Sequence, residues 1–397
     1  MTEEQSVSAT SRQDDTAAAP RRTGPPKRPI RVGLIGLSAS GGWAARAHLP
    51  ALNAVAGYEL TALCASSPES ARAAGERYGI RRTFASAKEL AACDEVDLVV
   101  VAVQAARHRE VTVPALEAGK AVYCEWPLAT SGEEAAELAD LARRYECRTA
   151  VGLQARSSPV IRYVRDLVAE GWLGEVLSST VVASGMAWGA EVDGRTRYVL
   201  DRDGGSTMLA IPFGHLIDAL TMCLGEFAEV GGVLANRRPR VRDLSSGELI
   251  RMTTDDQVAV HGVLHGGVVV SVHVRGGASR GINLYWEIKG SEGDLVITGD
   301  HGHLQLAPVT LRGGRGRDRE LSPMKVPDHY YRVPEFRDRP GDPAANLAHA
   351  YAALLEDIET GSANVPDFAH GVRRHRLIDA IQRAASEHRL VRLEGPA

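Results

Sequence analysis

From Ile30 to Ala155 the chain alternates short apolar runs with segments of helical spacing, and no other feature constrains its fold as strongly. The runs IRVGLIGL, YELTALCAS, VDLVVVAVQ, KAVYCEWP and RTAVGLQA have the near-continuous apolar character of strands buried on both faces. Between them stand WAARAHLPALNAV, PESARAAGERYG, HREVTVPALEAG and SGEEAAELADLARRYE, each with apolar residues at helical intervals. Alternation at this pitch predicts an α/β fold with a parallel, doubly wound sheet over residues 29–152.

Past Arg156 the texture changes. PVIRYVRDLVAEGW reads as one helix and Phe213 to Leu224 as a second, strongly apolar one. QVAVHGVLHGGVVVSVHVRGG predicts a hairpin turning near His265-Gly266-Gly267, and YWEIKGSEGDLVITG another turning between Ser291 and Gly293. Gly313 to Arg319 reads as a Gly/Arg-rich loop, and the helices NLAHAYAALLEDIETG and GVRRHRLIDAIQRAASEHRL follow it. Residues 153–397 are therefore expected to form a C-terminal α/β domain with an open, largely antiparallel sheet. Residues 1–28, rich in Ser, Thr, Ala, Pro, Gln and Asp with almost nothing to bury, are expected to be a disordered arm.

The 46 Lys and Arg residues against 50 Asp and Glu leave a formal charge of −4, a poor match to a nucleic-acid backbone, and no direct nucleic-acid partner is expected. Cys64, Cys93, Cys124, Cys147 and Cys223 show no CxxC spacing, which points to a reducing compartment without structural zinc. His261 and His265 share a strand face with His273 across the hairpin, but exposed sheet histidines are far commoner than three-ligand sites, and no metal is assigned. No apolar run reaches the roughly 20 residues of a membrane span. Arg21-Arg22 is followed by TGPPKRP rather than by the apolar stretch of a secretory signal, so a cytoplasmic protein is expected.

The turn after the first strand reads Gly36-Leu37-Ser38-Ala39-Ser40-Gly41-Gly42-Trp43. A dinucleotide fingerprint needs small residues for a tight turn, for close backbone approach to the pyrophosphate and for helix–strand packing. Gly36 and Gly41 fit and Ser38 takes the middle position; Ala39, Gly42 and Trp43 lead into a helix whose first N–H groups suit phosphate. A Gly-rich turn in a doubly wound fold that binds something else reads equally well. After the second strand, Cys64-Ala65-Ser66-Ser67-Pro68 offers no carboxylate to a ribose 2′-hydroxyl. Ser66 and Ser67 would not repel a 2′-phosphate and Arg72 is near in sequence, so NADP is favoured over NAD; Ser66 reads equally as the cap of the following helix.

VGLIGL, VAVQAARHREVTVPALEAGKAVYCEWPLA, GLQARSSPVIRYVRDLVAEGWLGEV and FGHLIDAL together resemble the Gfo/Idh/MocA family of oxidoreductases, from about Ile30 to the C-terminus. The resemblance implies an NAD(P)-binding Rossmann domain, a C-terminal domain that takes a small-molecule substrate such as a sugar or cyclitol, and a homo-oligomer paired through its sheet. GLSASGGWAARAHLPAL, Glu125-Trp126-Pro127 and FGHLIDAL are more similar to the galactose-regulon repressor branch of that family, which binds NAD(P) but acts by contacting a transcriptional activator.

Most of the family carries Glu-Lys-Pro after the fifth strand, the lysine moving a proton beside the nicotinamide. Here that position is Trp126, which is neither acid nor base at neutral pH, while Glu125 and Pro127 keep the turn. The family's Asp four residues before a His falls on Ile211 and His215, so the aspartate is lost and the histidine kept, with Asp218 on nearly the same helix face. His215 is the candidate for proton transfer and Trp126 for packing or stacking at the pocket floor. His215 also reads as a helix histidine bonded to Asp218. By the same resemblance Gln104, His108 and Glu125 lie at the cofactor, and Arg156, Trp188, Arg195, Tyr198 and Tyr285 near the substrate; His108 reads equally as a helix cap.

Three functions follow. The first is an NAD(P)-dependent oxidoreductase of a sugar-like or other polyol substrate, with His215 in place of the lysine. The second is a catalytically quiet NAD(P)-binding regulator, and the third an elimination or epimerisation at a retained nicotinamide. Loss of Lys and Asp favours the second, whereas the Gly-rich turn and His215 favour the first, which ranks ahead.

Overall fold

The computed structural model describes residues 28–395, so the N-terminal arm lies outside the described residues. Strands β1 (Ile30–Ile35), β2 (Tyr58–Cys64), β3 (Arg82–Phe84), β4 (Leu98–Val101), β5 (Ala121–Glu125) and β6 (Thr149–Gly152) make one parallel sheet in the order β3-β2-β1-β4-β5-β6. Helices α1 (Leu49–Ala54), α2 (Pro68–Tyr78), α3 (Ala87–Ala91), α4 (His108–Glu117) and α5 (Gly132–Arg144) supply the crossovers. Strand order reverses between β1 and β4, and ligands of such sheets bind in the crevice outside the carboxyl ends of the strands at that point.

Two local readings are corrected. The strand β3 and helix α3 are absent from the sequence pattern because three and five residues are too few to show a period. Ser67 rather than Ser66 caps α2: its Oγ accepts the Ser70 N–H at 3.2 Å.

The rest of the chain adds α6 (Pro159–Ala169), β7 (Val176–Ser184), β8 (Glu191–Val192), α7 (Pro212–Leu224), β9 (Phe227–Ala235), β10 (Arg240–Asp243) and β11 (Leu249–Arg251). These are followed by β12 (Gln257–Leu264), β13 (Val269–Arg275), β14 (Leu284–Gly290), β15 (Gly293–Gly299), β16 (Val309–Arg315), β17 (Ser322–Pro323), α8 (Ala345–Thr360), α9 (Phe368–Glu387) and β18 (Val391–Arg392). Nine strands form a sheet in the order β17-β16-β15-β14-β7-β13-β12-β9-β18, antiparallel except where β7 runs beside β13. A small sheet, β11-β10-β8, stands apart. Both expected hairpins are present. Gly313 to Arg315 pair with β15 and so belong to β16, because Gly313 lets Met324 and Leu295 close over the strand; the loop starts only at Gly316.

The change of architecture at residues 152/153 is not a division of the packing. Leu347, Ala348, Tyr351 and Leu354 of α8 join Val32, Leu34 and Leu52 in one apolar core. The late helices thus clamp the first domain from behind and bring C-terminal residues to its strand ends. No helix among the described residues is long and apolar enough to cross a membrane.

Candidate nucleotide and catalytic site

The Gly-rich turn is built on left-handed backbone. Gly36, Gly41 and Gly42 have φ of 101°, 95° and 115°, a region that only glycine occupies without strain. A Cβ on Gly36 would collide with the Ala102 carbonyl oxygen, whereas one on Gly41 or Gly42 would meet nothing within 4 Å. The turn is therefore pinned between β1 and β4 at one end and clear at the other. Ser38 Oγ lies 2.9 Å from Ser40 Oγ, and the Ser38 and Ala39 carbonyls accept from Tyr78 Oη at 3.1 Å and Arg77 Nη1 at 2.7 Å, which ties the loop to α2. Beside it the buried Trp43 indole N–H has no acceptor among the described residues. A clear cradle with an orphaned donor fits a dinucleotide.

Next to the turn a cavity of about 430 Å³ opens between the ends of β1, β2 and β4. Gly36, Leu37, Ser38, Ser66, Ser86, Lys88 and Arg107 are among its walls. Of the residues expected at the ribose after β2, Ser66 lines the cavity but Ser67 and Arg72 do not, Ser67 being spent as the cap of α2; Ala39, Gly41, Gly42, Trp43, Gln104, His108 and Glu125 also lie outside its walls. Gln104 stands exposed just past β4.

At the end of β5, Glu125 is buried as the centre of a polar chain. His48 Nε2 lies 3.2 Å from Glu125 Oε1, and His48 Nδ1 lies 2.6 Å from Tyr351 Oη. On the other side Gln154 Nε2 donates to Glu125, Gln305 Nε2 donates to Gln154 Oε1 at 2.6 Å, and Asn346 Nδ2 donates to the Gln305 carbonyl at 2.8 Å. A Cβ at Gly152 would sit 2.7 Å from Glu125 Oε1, so the strand beside it must be bare. Glu125 accordingly locks β5 to α8 and to the loop after β15. His108 is also a strut and not a helix cap: Nδ1 lies 2.9 Å from the Pro127 carbonyl and Nε2 lies 3.0 Å from that of Val103.

Trp126 is 4% exposed and precedes a cis bond to Pro127. Its N–H donates to the Ala210 carbonyl at 2.7 Å, its ring centroid lies 4.8 Å from that of His375, and Gly214 makes room for it, since a Cβ there would fall 2.5 Å from Nε1. The indole thus packs β5 against α7 and α9.

His215 follows directly on α7 and is 1% exposed. Burial pushes its pKa down to about 3, with Asp218 opposing, so the ring is neutral. His303, on the loop after β15, lies 5.3 Å away between ring centroids, and burial, with His215 and His301 nearby, holds it neutral too. Both Nδ1 atoms are buried without a hydrogen-bond partner among the described residues. The expected bond from His215 to Asp218 is not made. Asp218 instead accepts from His370 Nε2 at 2.5 Å and from Arg156 Nη1 at 3.3 Å, with Arg374 Nε at 3.8 Å. Burial works to raise this carboxyl, but the Arg156 guanidinium, the His370 hydrogen bond and the Arg374 guanidinium hold it well below the usual range.

The expected substrate residues do not converge. Arg156 is engaged with Asp218; the buried Trp188 donates its N–H to the Val199 carbonyl at 2.8 Å; Tyr198 and Arg195 lie exposed in the segment after β8. Tyr285 alternates with the buried Trp286 and so faces the opposite side of the sheet. Among the described residues no group of three or more His, Cys, Asp or Glu is placed to hold a metal.

These histidines have a consequence for stability. His215 at about 3 and His349 and His375 at about 4 are all lowered by burial from an ordinary 6.5. Below 6.5 the unfolded chain binds protons that the folded one refuses, so stability present above 6.5 drains away as pH falls toward 4. Thermal unfolding across this range should show the midpoint falling with pH, and a shallower fall in His215→Phe.

Residues 30–153 match the family described as "Oxidoreductase family, NAD-binding Rossmann fold", and residues 159–299 match "Gal80p, C-terminal domain". The galactose/lactose metabolism regulatory protein GAL80 of Saccharomyces cerevisiae is 30% identical over 322 residues, covering 76% of this chain and 74% of that protein. The chain belongs to the Gfo/Idh/MocA family. Dehydrogenase aclE of Aspergillus oryzae is 31% identical over 71% of this chain and 80% of its own length. Levoglucosan dehydrogenase of Pseudarthrobacter phenanthrenivorans is 26% identical over 90% of this chain and 96% of its own. The crystal structure of a super-repressor mutant of S. cerevisiae Gal80p superposes with a TM-score of 0.83 at 25% identity, covering 92% of this chain and 97% of that one. The family therefore spans regulators and dehydrogenases at similar distance from this member.

Proposed function

We propose that the protein is an NAD(P)-dependent oxidoreductase acting on a neutral polyol of the sugar or cyclitol class. The contact between the buried, neutral His215 and His303, each with an unpartnered ring nitrogen, carries this reading. Unpaired buried polar atoms are costly in a pure scaffold, and a polyol can satisfy them with its hydroxyls. A bound nicotinamide would supply the hydride acceptor or donor. The Gly36–Gly42 turn and Trp43 would hold the pyrophosphate side, and the Glu125 chain would fix the end of β5. His215, neutral at pH 7, can accept the hydrogen bond of a substrate hydroxyl and take its proton as the hydride leaves in oxidation. Neither imidazole offers a positive charge to a carboxylate or phosphate, which favours a neutral substrate. Incubation with NADP or NAD and a panel of sugars and cyclitols, followed by the absorbance of reduced nicotinamide, should find turnover. Absence of turnover across the panel, with nucleotide bound, would overturn this reading.

One observation favours the quiet-regulator reading, as the likeness to GAL80 does. The Trp126 indole fills the position of the family's amine and spends its only polar hydrogen on Ala210. A regulator would bind nucleotide, show no turnover, and change its affinity for a partner protein with nucleotide.

A homo-oligomer is part of the proposal. Val233, Ala259, His273, Val182 and Tyr285 form one cross-strand row on the sheet face opposite the buried core residues. On that face Val233 and Val269 are 62% and 57% exposed, unusual for β-branched residues on a broad sheet. Sedimentation at micromolar concentration should show a dimer or larger species, and Val233→Lys should weaken it; a monomer throughout would contradict the pairing.

A further inference from the structure

Helix α6 lies beneath the segment 328–333, which leads toward α8. Tyr330 Oη donates to Asp166 Oδ2 at 2.8 Å and its ring centroid lies 5.3 Å from that of Tyr163, while the Val333 N–H donates to His349 Nδ1 at 3.3 Å. The segment is thus fastened to α6 at one end and to α8 at the other, with Arg332 between the two fastenings. Four guanidinium groups gather there, for Arg162 of α6 has Arg332, Arg165 and Arg156 around it. Three of the four are committed: Arg156 to Asp218 at 3.3 Å, Arg165 to Asp166 at 2.7 Å and Arg332 to Glu356 at 2.5 Å. Arg162 stands one helical turn before Asp166, a spacing that suits an ion pair, but Arg165 holds one oxygen of that carboxylate and Tyr330 the other. Arg162 makes no ion pair among the described residues. Burial, with the three cations, pushes its guanidinium down to about 10 against the pull of Asp166, so the charge is present at neutral pH and unmatched.

We infer that the space between α6, the 328–333 segment and α8 is a binding site for a small oxyanion, a phosphate or a polycarboxylate, held by Arg162 and Arg332. A guanidinium fork matches two oxygens of either group, and the ion supplies the charge that Asp166 has already spent. The Arg332–Glu356 pair is loose enough to share: its side chains are 26% and 46% exposed, and pairs that meet water are weakly held. His349 adds a neutral donor from the α8 side, since the Val333 N–H occupies Nδ1 and leaves the ring proton on Nε2, with Arg332 and Arg162 nearby. A partly buried cation without a partner is costly, and a site that an ion fills accounts for it. None of these residues lines the cavity beside the Gly-rich turn, so the site needs neither nucleotide nor turnover. Because α6 packs on α7, the helix of His215, and α8 belongs to the core of the first domain, an ion held here ties the two parts of the chain together.

The test is thermal unfolding and calorimetric titration of the full chain at neutral pH, with inorganic phosphate or citrate replacing chloride at constant ionic strength so that screening does not change. At least one of the two should raise the unfolding midpoint saturably and titrate to one ion per chain; tighter phosphate marks a phosphate site and tighter citrate a carboxylate site. Arg162→Gln and Arg332→Gln should each weaken that ion at least about tenfold. Arg162→Lys, which keeps the charge but loses the fork, should weaken it less. Glu356→Gln, which frees Arg332, should tighten it, a result that a merely structural arginine pair would not give. A midpoint that responds to neither oxyanion more than to chloride would overturn the site. So would a response that survives both Arg162→Gln and Arg332→Gln, which would place the ion elsewhere, as at the Gly-rich turn, or one that Glu356→Gln weakens.

Discussion

Gly36→Val is expected to lower nucleotide affinity by at least about 100-fold, the value that a collision of a few kcal/mol implies. At φ 101° any side chain pays the left-handed penalty of roughly 1–2 kcal/mol, and valine adds a branch that must pass the Ala102 carbonyl oxygen. Because the obstacle is backbone of the neighbouring strand end, the turn itself has to move, and with it the cradle. Gly41→Val is the control. It carries the same left-handed strain but points into open space, so its cost in stability should be confined to that strain of roughly 1–2 kcal/mol, and its effect on binding should come from occupying the ligand's approach. NADPH titration and thermal unfolding of the two variants separate these contributions.

Trp126→Ala should cost about 3–5 kcal/mol of stability, the range for truncating a buried aromatic, and the bare Ala210 carbonyl adds to it. Trp126→Lys restores the family's residue type but not its setting. The amine would enter a space walled by Gly214 and His375, where burial lowers its pKa and disfavours the charged form. Denaturant unfolding should show a loss of roughly 2 kcal/mol or more, with no gain in turnover. A stable lysine variant with faster turnover would mean that the indole stands in the reacting space and not in the packing between β5, α7 and α9.

The parallel sheet, both hairpins and the late helices are legible in the sequence because each repeats its period over enough residues to be counted. What escapes the sequence is what only the folded chain brings together. His303 is 88 positions from His215 and sits on a loop, so periodicity says nothing of it; the pair His301 and His303 astride Gly302, directly after a strand, is the one local hint. His48 and Gln154 reach Glu125, and Gln305 reaches Gln154, from three separate segments. The pairing of His215 with Asp218 fails although their spacing suits one helix face, because the Arg156 and Arg374 guanidinium groups and the His370 ring already surround the carboxylate. Arg72 is near the end of β2 in sequence but not in space, while Lys88 and Arg107 are the reverse.

A crystal structure of the complex with NADPH tests most directly whether one continuous site runs from the Ser66 cavity to His215. The adenosine is expected between Ser66 and Pro114, with the pyrophosphate over Gly41 and Gly42 and the nicotinamide at the ends of β4 and β5, next to His215 and His303. Nucleotide bound elsewhere, or a nicotinamide turned away from both histidines, would contradict it.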